Sequence, residues 1–269
     1  VTELLTERSA RVAAARKLTR RAGRDAAGLF LAEGRQAVAE ALAGPRGDQQ
    51  GGVQEVFATE AAAAAHRELL TGAGVPVRLV TEKAAAGLSE TVTPQGLVAV
   101  CALRDVPASA VVSAPPRLGV ALAELADPGN AGTVLRTADA CGAGAVVFGA
   151  GSADPYGGKA VRASAGSLFH VDVVRGAPLE PLIGELQDVG VTVLAADGGG
   201  EAGLDEVATE GRLGGPVLWL FGNEARGVPA HLAALADARV RIPMRGHAES
   251  LNLAAAAAIC LYTTQLAQG

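Results

Sequence analysis

The second half of this 269-residue chain is punctuated by short runs of apolar, β-favouring residues that do not alternate with polar ones. They fall at 118–125, 145–148, 171–174, 191–196, 217–221 and 240–243. A strand with one wet face alternates. A strand apolar throughout needs cover on both faces, as in a parallel sheet flanked by helices. Helix-patterned stretches separate the runs, so the spacing predicts a layered α/β unit. The first half reads as a smaller α/β unit. A basic helical segment runs to about Ala22, followed by Gly28-Leu29-Phe30-Leu31-Ala32-Glu33-Gly34 and a helix near 36–43. A turn-rich loop at 44–52 leads to apolar runs at 53–57, 75–80 and 97–103, with an Ala-rich helix predicted over 60–70. Residues 106–117, rich in Pro, Ser and Ala, read as a linker. The expected domains are therefore 1–105 and 118–269, with 106–117 between them.

Composition removes several classes. A chain that is 49% hydrophobic and 19% charged can bury a core, which excludes a disordered one. Aromatics are 3%, so that core is built from Ala, Val and Leu. Cys101, Cys141 and Cys260 form no CxxC pair and have no His at ligand spacing, so no metal site is expected. The first residues lack the apolar core of a signal peptide, and the most apolar stretch, 253–262, is too short to span a bilayer. The expectation is a cytoplasmic protein with no membrane partner.

Net charge is −5, yet Arg8, Arg11, Arg16, Lys17, Arg20, Arg21 and Arg24 follow one another with no acid among them. Charge alone leaves two readings open: a solvated helix face, or a stripe that neutralises nucleic-acid phosphates.

Three polar clusters each follow a predicted strand, where open α/β sheets place their ligands. In Asp127-Pro128-Gly129-Asn130, continuing to Arg136, a turn leads into a helix for which Asn130 is a suitable N-cap. A helix start with a guanidinium nearby suits an anionic oxygen such as a phosphate. In Phe221-Gly222-Asn223-Glu224-Ala225-Arg226-Gly227, an apolar strand ends abruptly in a polar loop. Gly222 permits close backbone approach to a ligand, and Glu224 could pair with Arg226. In Ile242-Pro243-Met244-Arg245-Gly246-His247-Ala248-Glu249-Ser250-Leu251-Asn252, a loop leads to a final helix for which Ser250 is the expected cap. That helix is apolar nearly all round and needs cover from its own domain and from a partner subunit, so the sequence points to a dimer.

Generic alternatives fit less well. Gly149-Ala150-Gly151-Ser152-Ala153-Asp154 begins like a dinucleotide-binding turn, but Asp154 occupies the third glycine position. Ser164 lacks the flanking glycines of a hydrolase nucleophile elbow, and the histidines are scattered.

Together the three clusters resemble the signature motifs of the SpoU (TrmH-like) branch of the SPOUT RNA methyltransferases. Residues 159–169, Lys-Ala-Val-Arg-Ala-Ser-Ala-Gly-Ser-Leu-Phe, share the likeness, which spans about 118–267. The first half, through residues 16–24 and 28–34, more loosely resembles a ribosomal-protein-L30e-like substrate-binding domain. The resemblance implies a parallel-sheet catalytic domain with a deep trefoil knot, active as a homodimer. It implies S-adenosyl-L-methionine as methyl donor and a ribose 2′-hydroxyl of RNA as acceptor. The donor would lie against Phe221, Gly222, Ile242, Met244 and Leu251. Catalytic roles would fall to Asn130, Arg136, Glu224, Ser250 and Asn252, with Arg8 to Arg24 on the RNA. Ribosomal RNA, 23S first, is the expected substrate. The alternatives are transfer RNA and a catalytically silent RNA-binding or ribosome-assembly factor.

Overall fold

The computed structural model describes residues 4–44 and 52–269. The loop expected at 44–52 therefore lies almost wholly outside the described residues. The chain forms two compact units.

The first unit comprises Val1–Arg104 together with Asp154–His170. Its sheet holds β1 (Leu29–Glu33), β2 (Val53–Ala58), β3 (Val77–Leu79) and β4 (Leu97–Ala102), in the order β1-β4-β2-β3. β4 is antiparallel to both β1 and β2, while β2 and β3 are parallel. The basic segment is broken into Ala10–Arg16, a short 3-10 turn and Arg21–Ala27. Its apolar positions Val12, Ala15 and Leu18 pack with Leu31, Phe57 and Val98 in the core. The helix predicted over 60–70 is two helices, Glu60–Ala65 and Arg67–Thr71, interrupted at His66.

A part of this unit comes from far along the chain. Within Asp154–His170, the helix Gly158–Ser164 and the buried Tyr156, Val161, Leu168 and Phe169 complete its core. The Phe30 ring lies 4.8 Å from Tyr156 and 5.9 Å from Phe169, within the range of favourable aromatic pairing. The Tyr156 hydroxyl accepts from the Arg104 backbone N–H at 3.0 Å. Arg24 and Asp154 are joined at 2.7 Å with their side chains only 5% and 7% exposed.

The second unit comprises Asp105–Ala153 and Val171–Gly269. Its strands are β5 (Leu118–Leu122), β6 (Ala145–Gly149), β7 (Asp172–Ala177), β8 (Thr192–Ala196), β9 (Ala202–Gly203), β10 (Val217–Phe221) and β11 (Ala238–Arg241). They form one sheet in the order β7-β6-β5-β10-β8-β11-β9, every neighbouring pair parallel. Every residue of β5, β6 and β10 is buried, which is why these strands show no alternation. One face, with Ala121, Val147, Val193 and Leu218, packs on Leu182, Ile183 and Leu186 of the helix Leu179–Asp188. The opposite face is covered by the helices Pro128–Ala140 and Leu253–Gln268. There the indole N–H of the fully buried Trp219 donates to the Thr264 hydroxyl at 2.9 Å.

The stretch expected as a linker differs from that reading. It contains the helix Ala108–Ser113, and Val111 is packed into the core of the second unit. Pro107 opens the helix, a position where the missing N–H costs nothing.

Candidate functional site

The carboxyl ends of β8, β10 and β11, adjacent in the sheet, open onto a cavity of about 300 Å³. Phe221, Ile242, Met244, Leu251 and Leu253 supply its apolar wall, and Asp197, Asn223, Glu224 and Ser250 its polar lining. This is the make-up of a small-molecule pocket: mostly apolar, with a few convergent polar groups.

The loop after β10 is built around backbone proximity. A Cβ on Gly222 would lie 2.0 Å from the Gly227 carbonyl and 2.1 Å from the Val228 nitrogen, so only glycine fits. Asn223 and Gly227 exchange backbone hydrogen bonds of 2.9 and 2.8 Å that close the loop. The Asn223 amide then donates to the Glu124 carbonyl at 2.9 Å, while Arg226 pairs with the Glu124 carboxylate at 2.7 Å. Glu124 sits at φ 54°, a conformation rarely adopted by a residue with a side chain, and the loop holds it from both directions. The alternative of a Glu224–Arg226 pair is not realised, because each side chain has other partners.

Glu224 is the hub of the polar side. Its carboxylate accepts from the backbone N–H of Ala126 at 3.2 Å, from that of Asp127 at 3.1 Å and from the Asn130 amide at 3.0 Å. Burial pushes its pKa up, but the hydrogen bonds from Asn130, Asp127 and Ala126 outweigh that and hold the carboxyl below its ordinary value of 4.5. The Asn130 carbonyl oxygen in turn accepts from the Asn252 amide at 3.3 Å.

The helix starts differ from the sequence expectation. Asp127, not Asn130, caps Pro128–Ala140: its carboxylate accepts from the N–H groups of Gly129 and Asn130, and Pro128 occupies the first turn. Asn252, not Ser250, caps Leu253–Gln268, accepting from Ala254 at 2.9 Å and Ala255 at 3.3 Å. Asn130 consequently keeps its whole side-chain amide for the site, and Asn252, whose oxygen caps the helix, keeps its NH2 group.

The structure thus joins Asn130, Glu224 and Asn252 in one hydrogen-bonded chain, and places Phe221, Gly222, Ile242, Met244, Ser250 and Leu251 around the cavity. Arg136 is not bonded to that chain. It lies about 9 Å further along the helix axis than Asn130. Its side chain is exposed and makes no hydrogen bond or ion pair among the described residues. Of the basic stripe, Arg8, Arg11, Arg16, Lys17, Arg20 and Arg21 are exposed, with Arg11 paired to Glu55 at 3.4 Å and Arg21 to Asp25 at 3.7 Å. Arg24 departs from the expected RNA-binding set. It is buried, and Asp154 and the Leu18 carbonyl occupy its guanidinium.

Sequence reasoning overlooked the end of β8. Asp197-Gly198-Gly199-Gly200 is a polar, glycine-rich run directly after an apolar strand, the same signal that marked the other loops. It gave no role to Asn223 or Glu124, whose pairing is visible only in three dimensions.

Among the described residues, no group of three or more His, Cys, Asp or Glu is placed to hold a metal ion. No helix among them is long and apolar enough to cross a membrane. Burial pushes the thiols of Cys101 and Cys260 up to about 12, which disfavours the reactive thiolate.

Solved structures match nearly the whole length of the chain. The AdoMet-bound rRNA methyltransferase of Sinorhizobium meliloti matches with a TM-score of 0.82 at 31% identity, over 98% of this chain and 97% of that one. AviRb, the SpoU methyltransferase of Streptomyces viridochromogenes, in complex with AdoMet, matches with a TM-score of 0.80 at 29% identity, over 96% and 98% of the two chains. Fold and site together define an RNA methyltransferase. The SpoU rRNA Methylase family matches residues 117–262, and the MRM3-like substrate binding domain matches 9–99. In Bacillus subtilis (strain 168), the 23S rRNA (guanosine(2553)-2'-O)-methyltransferase RlmP is 36% identical over 247 residues, 92% of each chain. The chain belongs to the SpoU rRNA methylase family.

Proposed function

We propose that this protein transfers a methyl group from S-adenosyl-L-methionine to a ribose 2′-hydroxyl of 23S ribosomal RNA. The observation that carries the reading is the polar chain Asn252–Asn130–Glu224, which ends at Glu224 in the lining of an apolar cavity at the sheet's carboxyl edge. The lining suits an adenosyl group. Phe221, Ile242, Met244 and Leu251 give a flat base its apolar contact, and polar side chains stand beside them. Bound there, S-adenosylmethionine supplies an electrophilic methyl on a sulfonium.

The protein's part is then to place and ionise the acceptor oxygen. Arg136, exposed and without an intramolecular partner, grips the phosphate beside the target ribose and stabilises the developing 2′-oxyanion. A guanidinium stays protonated, so it does not act as the base; the phosphate or a water carries the proton away. Asn130 and Asn252 orient the ribose, and Glu224 and Ser250 hold the loops that present it. Positioning of this sort supplies much of a rate enhancement.

The reading extends to assembly. Ile259, Tyr262 and Leu266, spaced along one side of the final helix, are 40%, 57% and 65% exposed. An apolar stripe of this kind needs cover, and a second copy of the chain supplies it in a homodimer. Arg8, Arg11, Arg16, Lys17, Arg20 and Arg21 contact RNA phosphates, and the protein works in the cytoplasm. Relatives matched along nearly their whole length include a 23S rRNA enzyme, so transfer RNA is not favoured.

The test is transfer of labelled methyl from S-adenosylmethionine to purified 23S rRNA and to total tRNA, followed by mass-spectrometric mapping. Incorporation at a single 2′-O position of 23S rRNA is expected. Label only in tRNA would move the substrate, and none in either RNA would leave the silent RNA-binding factor.

A further inference from the structure

We propose that Asp197 holds the ribose hydroxyls of the methyl donor and makes the protein selective for a ribo- over a deoxyribo-adenosyl group. The inference rests on the reading of the cavity as the donor's site.

β8 lies between β10 and β11 in the sheet, so its carboxyl end stands between the two loops that form the cavity's apolar wall. Asp197 is the first residue past that end. Its backbone N–H donates to the Val240 carbonyl at 3.0 Å, fixing it beside β11 two residues from Ile242. The turn then closes through Gly200 N–H to the Asp197 carbonyl at 2.9 Å.

The carboxylate has room for a ligand. One oxygen accepts from Gly199 N–H at 2.9 Å, which orients the group. Among the described residues the other has only Arg239, at 3.7 Å, and Arg239 makes a closer contact of 3.0 Å to Glu201. Glu224, by contrast, is committed to three N–H donors. The Asp197 side chain is 32% exposed, so its carboxylate is open to a ligand.

The ligand chemistry follows from position. Asp197 and Ile242 line the same cavity, and with the base on the apolar wall that includes Ile242, the attached ribose diol would face Asp197. Two hydroxyl donors match the acceptor-only character of a carboxylate. The donor's own α-ammonium is the competing cation, but it lies several bonds further away. A carboxylate at a strand end reading a ribose is also the solution open α/β sheets use for dinucleotides.

Calorimetric titration of the full-length protein separates the outcomes. S-adenosylhomocysteine and 5′-methylthioadenosine, which lacks the ammonium, should both bind the wild type. Asp197→Ala and Asp197→Asn should weaken both by about tenfold to a hundredfold, as expected for a charge-assisted hydrogen bond. The 2′,3′-dideoxy form of methylthioadenosine should bind the wild type weakly and lose nothing further in either variant. The analogue comparison on the wild type needs no substitution, so misfolding of a variant does not blunt it. Equal wild-type affinity for the ribo and dideoxy forms overturns the proposal. So does a loss in Asp197→Ala confined to S-adenosylhomocysteine, which would assign the carboxylate to the ammonium. If the wild type binds neither ligand, the cavity assignment itself fails and the proposal falls with it.

Discussion

Asn252 and Asn130 stand 122 residues apart in the chain, yet the amide of one donates to the carbonyl oxygen of the other at 3.3 Å. Each is tied elsewhere: Asn252 caps the final helix with its own carbonyl oxygen, and Asn130 donates to Glu224 at 3.0 Å. The orientation of both amides is therefore fixed by the bonds they make, leaving a rigid polar strip from the loop after β10 to the last helix.

That strip depends on Glu224 being ionised. Its folded-state carboxyl lies below 4.5 while the unfolded one titrates near 4.5, so the stabilisation is complete above that pH and is lost as pH falls through the folded value. Melting temperatures measured from pH 7 down to 3 should fall more steeply for the wild type than for Glu224→Gln. Parallel acid limbs would mean the carboxylate contributes nothing through its charge.

Replacing Gly222 with Ala sets a methyl against backbone atoms at 2.0 Å, and backbone cannot swing aside as a side chain can. A strain of about 1–3 kcal/mol is expected, lowering the melting temperature by several degrees. Because the loop lines the cavity, binding of S-adenosylhomocysteine should weaken at least about tenfold by the same displacement. A variant with wild-type melting and affinity would show that the loop adapts.

Arg24 and Asp154 test a structural role against an RNA-binding one. With both side chains nearly enclosed, Arg24→Ala removes the cation that neutralises the buried Asp154 carboxylate, which keeps the Tyr156 N–H at 3.0 Å, at a cost of about 3 kcal/mol in urea unfolding. The double variant Arg24→Ala/Asp154→Ala should cost less than the sum of the singles. Additive losses would dissolve the pair as a unit.

Arg136 differs in kind from Arg24. Arg136→Lys keeps the charge but loses the planar fork, so methyl transfer should drop by about tenfold or more with the affinity for S-adenosylhomocysteine unchanged. Near-full activity in the lysine variant would rule out two-point contact with phosphate.

RNA affinity should fall steeply with salt. Neutralising Arg20 and Arg21 together should flatten the log–log slope by about 0.7–0.9 for each phosphate contact removed. A slope left unchanged would remove this stretch from the interface.

Most of the second sheet was readable because its central strands β5, β6 and β10 are buried on both faces, and unbroken apolar runs have few other uses. The two-residue edge strand β9 left no such signal. β10 occupies the predicted residues, and the other runs shift by a few positions only. The loops were readable for a related reason: polar residues directly after such runs have no structural purpose in the core. Capping misled the reading. Asn130 and Ser250 are good caps by residue type, but Asp127 and Asn252 have the geometry, and a side chain's choice between capping and reaching across depends on what faces it. The role of Arg24 was invisible because its partner lies 130 residues on. Spacing along a sequence carries no trace of such a meeting.

The excursion Asp154–His170 bears on how this protein can be cut or recombined. Tyr156, Val161, Leu168 and Phe169 belong to the core of the first unit although they are encoded between two strands of the second. A fragment starting near residue 105 would carry these side chains with nothing to cover them, and a fragment ending there would have a hole beside Phe30. Exchanging the first unit between relatives therefore requires two matched splices, not one.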